Sequence, residues 1–382
     1  MKIAIPVERR AHERRVAATP DTVKKFIAMG IEVAVERGAG EASRIPDAAY
    51  QAAGATIVDS PAALLADADV VLKVQRPILA GEEGENELSL FKPGTLLIAI
   101  LSPYANPDAL RQYAEAGITA ISLEFVPRIT RAQSMDVLSS QSNLAGYRAV
   151  LEAVNVFDRA MPMMMTAAGT IAPARVMVLG AGVAGLQAIA TAKRLGAIVS
   201  ATDVRAASRE QVESLGGKFV MVESDEVANA ETAGGYAREM SDDYKRRQAE
   251  LVAETLKKQD IAICTALIPG RKAPTLINDE MVYSMRPGSV IVDLAAEQGG
   301  NCTLTRPGEV VEINGVSIIG YYNVPSRLSA DASALYAKNV LNYFTPLFNA
   351  ETRQLAVNWQ DEIVAASTLT RDGQIVHPNF QS

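Results

Sequence analysis

The stretch Val176–Arg205, VMVLGAGVAGLQAIATAKRLGAIVSATDVR, constrains this chain more than any other. Four apolar residues, Val176–Leu179, run into Gly180-Ala181-Gly182-Val183-Ala184-Gly185; an Ala-rich segment follows, and Gly196 precedes a second apolar run that ends at Asp203. Strand, glycine turn, helix, strand and acid in that order make a βαβ unit with G-x-G-x-x-G spacing. In such a unit Gly180 makes the tight turn, Gly182 lets the backbone approach a pyrophosphate, and Gly185 lets the helix lie close on the sheet. The phosphates belong at the helix N-terminus, where unpaired N–H groups and the helix dipole favour negative charge. Asp203 is placed to take the adenosine ribose 2′-hydroxyl, and its carboxylate would repel the 2′-phosphate of NADP. The pattern therefore predicts a bound dinucleotide, NAD in preference to NADP. Packing alone also explains glycines at a buried strand–helix turn. The strand before, the helix after and the acid at the right distance favour the ligand.

Length and composition set the frame. The chain has 382 residues, 48% of them hydrophobic, with ordinary glycine and proline content, which is globular material with length for about two domain cores. A net charge of −7 gives no general attraction to nucleic acid or anionic lipid. Cys264 and Cys302 lie far apart in apolar or Gly-rich surroundings, which is neither a disulfide framework nor a metal cluster, so no metal is expected and a reducing compartment suits the chain. The N-terminus MKIAIPVERR turns charged after one short apolar run and does not read as a signal peptide. No uninterrupted apolar span reaches about 18 residues, so no membrane crossing is expected.

Strands alternate with helices along residues 1–140, which implies a parallel sheet. The expected strands are Lys2–Pro6, Ile31–Val35, Ala55–Val58, Val70–Val74, Thr95–Leu101 and Thr119–Ser122, the last continuing as Ile121–Phe125. Helices are expected from Asp21 to Met29 (capped by Thr19), over Asp47–Ala53 and over Pro107–Ala116. The acidic piece Gly81–Glu87 reads as surface. Pro127–Ser140, PRITRAQSMDVLSS, is a polar loop directly after a strand, where an open α/β sheet places its chemistry. A helix over Asn143–Arg159 follows and reads as a bridge between domains.

Met161–Ala172, MPMMMTAAGTIA, is Met-rich. A methionine cluster is more often core packing than chemistry, although the turn at Ala167–Thr170 suggests a hairpin suited to a subunit interface. Further on come helix Gln211–Leu215, strand Lys218–Val222, a long connection from Glu223 to Ser241 centred on Gly234-Gly235-Tyr236, and helix Asp242–Lys258. That connection is a candidate lid, or a solvated insertion. Strand Ile261–Thr265 opens into Ala266–Gly270, which on this topology lies near the cofactor. Strands Val290–Leu294 and Val316–Ile319, a helix over Asp331–Phe344 and a small terminal hairpin around Arg371-Asp372-Gly373 complete the chain. The fold class expected is α/β: two Rossmann-like, doubly wound parallel-sheet domains. The first spans 1–142 and is completed by 328–382; the nucleotide domain spans 143–327.

Hydride transfer to or from an alcohol or amine carbon usually needs a general acid–base, most often histidine. The two histidines are His12, in a charged loop, and His377, nearly terminal, and neither is read as that base. Lys73 and Arg15 are candidates for binding a carboxylate substrate. Direct exchange between two nicotinamides moves no substrate proton and needs only alignment and electrostatics. Arg128, Gln133, Asp136 and Ser139 could hold a carboxamide and ribose in place; an interdomain salt-bridge patch would explain them equally.

Eight segments together resemble the soluble NAD(H)-binding alpha subunits of the proton-translocating nicotinamide nucleotide transhydrogenases, with the alanine dehydrogenases as fold relatives. They are RVAATP at Arg15–Pro20, VLKVQRP at Val71–Pro77, PRITRAQSMDVLSSQSNLAGYRAV at Pro127–Val150, PMMMTAAGTIAPARVMVLGAGVAGLQAIATAKRLGA at Pro162–Ala197, AGGYAREM at Ala233–Met240, TALIPG at Thr265–Gly270, GSVIVDLAAEQGGN at Gly288–Asn301 and NVPSR at Asn323–Arg327. The Arg128, Gln133 and Asp136 spacing is specific to the transhydrogenase side. The resemblance implies that Arg128, Gln133, Asp136 and Ser139 position the nicotinamide and its ribose, with Gln133 facing the partner's NADP. It implies that Gly180, Gly182, Val183, Gly185, Asp203, Val204, Thr265, Ala266 and Leu267 form the NAD(H) cradle and that Tyr236 tips a mobile loop closing over it.

The implied partners are a second copy in a homodimer exchanging the Met161–Ala172 hairpin, a beta subunit whose domain holds NADP(H), and a small membrane alpha subunit. Hydride transfer would be coupled to proton movement on those other chains. Nucleic acid is not among the partners. The implied location is cytoplasmic, peripheral on the inner membrane. Alanine dehydrogenases share Arg15 and Lys73, but their catalytic histidine would fall near Ala99–Leu101, and their aspartate before Gln-Gly-Gly is Glu297 here. Amino-acid oxidation is thus the alternative, and a non-catalytic NAD-sensing or scaffold role is a third.

Overall fold

The structure, a computed structural model, describes residues 1–205, 207–222, 241–268 and 270–381. The chain divides into two compact units, Met1–Gln141 with Ser326–Ser382, and Ser142–Pro325.

In the first unit, β1 (Lys2–Ile5), β2 (Glu32–Glu36), β3 (Thr56–Val58), β4 (Val70–Gln75), β5 (Leu96–Ile100) and β6 (Thr119–Ser122) form a parallel sheet in the order β3-β2-β1-β4-β5-β6. Both faces are apolar because both are covered. Ile3, Ile5, Val33, Val35, Leu72 and Val74 enter one core, and the alternate residues Ala4, Ala34, Val71, Leu97 and Ala99 enter the other. Pro20, whose ring fixes φ, starts the helix Pro20–Ala28, and the Thr22 hydroxyl accepts from the Thr19 N–H at 3.0 Å. After residue 325 the chain returns to this unit. The helix Ser329–Phe344 buries Ala332, Tyr336, Val340 and Phe344, one face at i, i+4 spacing. Strand Thr368–Arg371 then adds antiparallel to β6, and Gln374–Ile375 closes the edge.

In the second unit, β7 (Met164–Thr166) and β8 (Gly169–Ile171) make an isolated antiparallel hairpin. The main sheet runs β11-β10-β9-β12-β13-β15-β14. Its strands are β9 (Arg175–Leu179), β10 (Ile198–Thr202), β11 (Lys218–Phe219), β12 (Ile261–Cys264), β13 (Val290–Asp293), β14 (Val310–Ile313) and β15 (Val316–Ile319). All neighbours are parallel except β14, which pairs antiparallel with β15. The order turns back on itself between β9 and β12, the switch point where open α/β sheets bind ligands.

Several expectations are corrected. The helix expected over Asn143–Arg159 spans Val137–Val156, because Asp136 caps it six residues earlier. The strand expected to reach Phe125 ends at Ser122, and Leu123–Phe125 is a 3-10 turn. Met161 is buried, but Met163, Met164 and Met165 are exposed, Met165 by 78%, so these methionines are not core. Gly81–Glu87 is not wholly surface: Glu87 is buried against Lys73. The edge strand β14 is not among the expected strands: three of its four residues are apolar, but Glu312 interrupts them and Glu309 precedes them, which leaves only the pair Val310-Val311 as an apolar run. Among the described residues no helix is long and apolar enough to cross a membrane, and no group of His, Cys, Asp or Glu could hold a metal ion.

Candidate functional site

Register brings the second unit's site together. Leu179 of β9 lies opposite Thr202 of β10 and Cys264 of β12, and Cys264 lies opposite Asp293 of β13. The next residues on the first three strands are Gly180, Asp203 and Thr265, so three predicted site residues emerge side by side. Gly180 has φ +103°, a conformation that glycine adopts without strain. A Cβ on Gly185 would lie 1.9 Å from the Gly180 carbonyl oxygen, so the first turn of the helix Val183–Arg194 presses on the strand end. The Thr265 hydroxyl donates to that same carbonyl at 2.9 Å. Gly182, the N-cap residue, differs: a Cβ there would meet only an Arg205 guanidinium nitrogen, at 3.9 Å. Its bareness is not required by the packing of the chain itself. Behind the turn, Gly146 of the helix Val137–Val156 leaves room for Ala184, whose carbonyl oxygen lies 2.0 Å from where a Cβ would stand.

Asp203 is not a bare carboxylate. One oxygen accepts from the Ala181 N–H at 2.7 Å and from the Arg205 Nη2 at 2.9 Å; the other accepts from the Arg205 N–H and Nε, both at 2.9 Å. The acid thus ties the glycine turn to the end of β10 and carries a bidentate arginine.

The loop after β12 is also pinned. Buried Asn301 accepts from the Ala266 N–H at 3.1 Å and donates to the carbonyls of Ala266 and Pro274 at 2.9 and 2.8 Å. Asn301 is itself held by buried Asp293, which accepts from its N–H, the Cys302 N–H and the Thr305 hydroxyl. This fixes Thr265 and Ala266 and leaves Val183, Leu267 and Ile268 exposed around the cradle, an apolar rim. Tyr236 and its expected lid lie outside the described residues.

The first unit carries the polar loop. Arg128 and Gln133 are exposed, Asp136 and Ser139 half-buried. Asp136 and Ser139 come together: the carboxylate accepts from the Ser139 N–H at 2.9 Å and from its hydroxyl at 2.6 Å, an N-cap on the helix Val137–Val156. Between them and Arg128 the chain makes a 3-10 helix, Thr130–Met135, anchored by the returning C-terminal segment. Asn339 and Asn342 both donate to the Ser134 carbonyl, at 2.8 and 3.1 Å, and Asn339 accepts from Ser140 at 2.7 Å. Arg131 pairs with Asp361 and Glu362.

The two cations considered for a carboxylate substrate lie in a buried network of this same unit, at the β1–β4 switch point. Lys73 is fully buried, 3.1 Å from Glu87 and 3.4 Å from Glu8. Arg15 is bidentate on Glu13 and donates to Gln141 at 2.8 Å. Burial pushes Glu8 up to about 7 even against the charge of Lys73. Burial acts the same way on Glu13, but the charge and hydrogen bonds of Arg15 and the amide of Gln75 outweigh it and hold Glu13 at about 2. Glu87 and Glu13 thus pair directly with Lys73 and Arg15, while buried Glu8 lies beside Lys73 with its proton held toward neutral pH. His377 is buried, its Nε2 3.0 Å from the Ala366 carbonyl and its Nδ1 accepting from the Asn379 N–H, a packing role.

Residues 4–145 match the family model for the alanine dehydrogenase/PNT N-terminal domain, and residues 149–378 the model for the C-terminal domain of the same name. The chain belongs to this family. It is 58% identical over 378 residues to an NAD(P) transhydrogenase alpha-subunit chain of Rhodospirillum rubrum, covering 99% of this chain and 98% of that one. A crystal structure of transhydrogenase from Sinorhizobium meliloti superposes with TM-score 0.88 at 50% identity, over 98% of this chain and 100% of the other. An L-alanine dehydrogenase structure follows at TM-score 0.82 and 26% identity, over 100% and 98%. Within the alanine dehydrogenase/PNT family the chain thus stands with the transhydrogenase alpha subunits.

Sequence reasoning missed the supporting residues. Asn301 and Asn339 are single asparagines without a motif, and their roles depend on partners 35 and about 200 positions away. Arg205 was within reach: an arginine two residues beyond the acid is a local signal.

Proposed function

We propose that this chain is the NAD(H)-binding subunit of a transhydrogenase, exchanging a hydride with NADP(H) held on a partner beta subunit, coupled to proton movement through membrane subunits. Assembly as a homodimer, with the exposed Met163–Ile171 hairpin as part of the contact, and a peripheral position at the membrane belong to the same reading. The observation that carries it is the cradle: Gly180, Asp203 and Thr265 emerge side by side, Gly185 admits no Cβ, and Gly182 is open above the helix N-terminus. These residues fit a dinucleotide. Ala181–Gly185 would hold its pyrophosphate, Asp203 and Val204 its adenosine ribose, and Thr265–Leu267 its nicotinamide half. Bound there, NAD(H) supplies the carbon that gives or takes the hydride. Arg128, Gln133, Asp136 and Ser139 would align the nicotinamide and its ribose; alignment suffices because exchange between two nicotinamides moves no other proton.

Mixing the chain with the NADP-binding domain of a beta subunit tests this. Hydride exchange between NADH and a spectrally distinct NADP⁺ analogue is expected without alanine or pyruvate. NADH binding without any exchange would overturn the catalytic reading and leave a sensing or scaffold role. A second reading, alanine-dehydrogenase-like oxidation, is favoured by Arg15 and Lys73 at the switch point of the first unit. It lacks a histidine at Ala99–Leu101, and NADH oxidation dependent on pyruvate and ammonia would select it.

A further inference from the structure

We propose that Arg205 is a latent 2′-phosphate-binding group held shut by Asp203, so that this pair sets the choice between NAD and NADP. The inference rests on reading the cradle as a dinucleotide site. A bare acid after β10 discriminates by repelling the 2′-phosphate, whereas an arginine at this strand end accommodates it. Here both are present and bound to each other. Arg205 Nε and Nη2 reach the two Asp203 oxygens at 2.9 Å each, and with the N–H groups of Ala181 and Arg205 the carboxylate accepts four hydrogen bonds. A carboxylate offers about four lone-pair sites, so the full set is taken by the chain itself.

Two consequences follow. The Asp203–Arg205 pair is close to neutral as a unit, so exclusion of a 2′-phosphate comes less from a free negative charge than from a guanidinium already committed to a better-placed carboxylate. A ribose diol must take lone pairs that Arg205 now holds, so ribose binding and the grip on Arg205 compete. The Arg205 side chain is 21% exposed and its Nη2 lies 3.9 Å from where a Cβ on Gly182 would stand, beside the proposed pyrophosphate position, so the guanidinium is within reach of a phosphate once released. Planar, bidentate arginine is the side chain best suited to that anion.

The test is calorimetric titration of the full chain with AMP and with adenosine 2′,5′-bisphosphate, which differ by the 2′-phosphate and need no hydride transfer. The wild type is expected to bind AMP at least tenfold tighter. Asp203→Asn, which keeps an acceptor for the Ala181 N–H, should tighten the bisphosphate at least tenfold. Asp203→Asn with Arg205→Ala should lose that gain, and Arg205→Lys in the same background should recover part of it. Arg205→Ala alone should hold or tighten AMP and weaken the bisphosphate. A bisphosphate gain that survives in the double variant overturns the role of Arg205, as does no gain in Asp203→Asn whose thermal unfolding matches the wild type. Failure of the wild type to bind AMP or NADH at all would instead remove the dinucleotide site, and this inference with it.

Discussion

The contrast between Gly182 and Gly185 gives a direct way to separate ligand from packing in the glycine turn. A Cβ at Gly185 would stand 1.9 Å from the Gly180 oxygen, about 1 Å or more inside any distance that such atoms adopt. Gly185→Ala must push the helix Val183–Arg194 off β9, at a cost of roughly 1–3 kcal/mol in stability. At Gly182 the nearest atom to an added Cβ is an arginine nitrogen at 3.9 Å, and the backbone, φ −76° and ψ −166°, suits any L-residue. Gly182→Ala should therefore leave stability within about 0.5 kcal/mol of wild type. The same methyl group stands between the backbone and the pyrophosphate, so NADH should bind about 10- to 100-fold more weakly, about 1.4–2.8 kcal/mol. Urea unfolding and calorimetric NADH titration of both variants read the two effects separately. Wild-type NADH affinity in Gly182→Ala would refute the placement of the pyrophosphate; a destabilised Gly182→Ala would refute the claim that nothing in the chain itself needs this glycine.

Two further predictions concern the first unit. Glu8 titrates near 7 when folded and near its ordinary 4.5 when unfolded, so between those values the folded state holds a proton that the unfolded state releases, and stability falls as pH rises, by up to about 3 kcal/mol. Urea unfolding from pH 4.5 to 8 should show this decline in the wild type and a flatter profile in Glu8→Gln; equal slopes would sink the assignment. Asn339→Ala removes the brace on Ser134 and Ser140, and with the beta-subunit domain present it should slow hydride exchange about tenfold or more while NADH affinity changes little. An unchanged exchange rate would show that the brace does not position the loop.

Local pattern carried much of the fold. Parallel strands of 3–6 residues, apolar on both faces, separated by capped helices, can only be covered from both sides, and β1 to β6 appear close to where the runs place them. The methionines of 163–165 misled because composition says apolar but not whether a second surface is present. Val137 was missed as a helix start because Asp136 reads as a group that positions the nicotinamide and ribose, whereas its carboxylate caps the helix through Ser139.

By itself the sequence determined the βαβ turn, since glycine spacing, strand, helix and acid lie within thirty consecutive residues and depend only on local backbone conformation. Tertiary structure alone decided what stands beside them. Parallel register set Thr265 against Gly180 across 85 positions, Asn339 found Ser134 across 205, and Lys73 met Glu8 and Glu87 in a buried cluster that shifts Glu8 by burial. Asp203 and Arg205 were both visible in the sequence; that the carboxylate is already filled, by the guanidinium and by the N–H groups of Arg205 and Ala181, was not, because the approach of Ala181 and the bidentate geometry come from the folded turn.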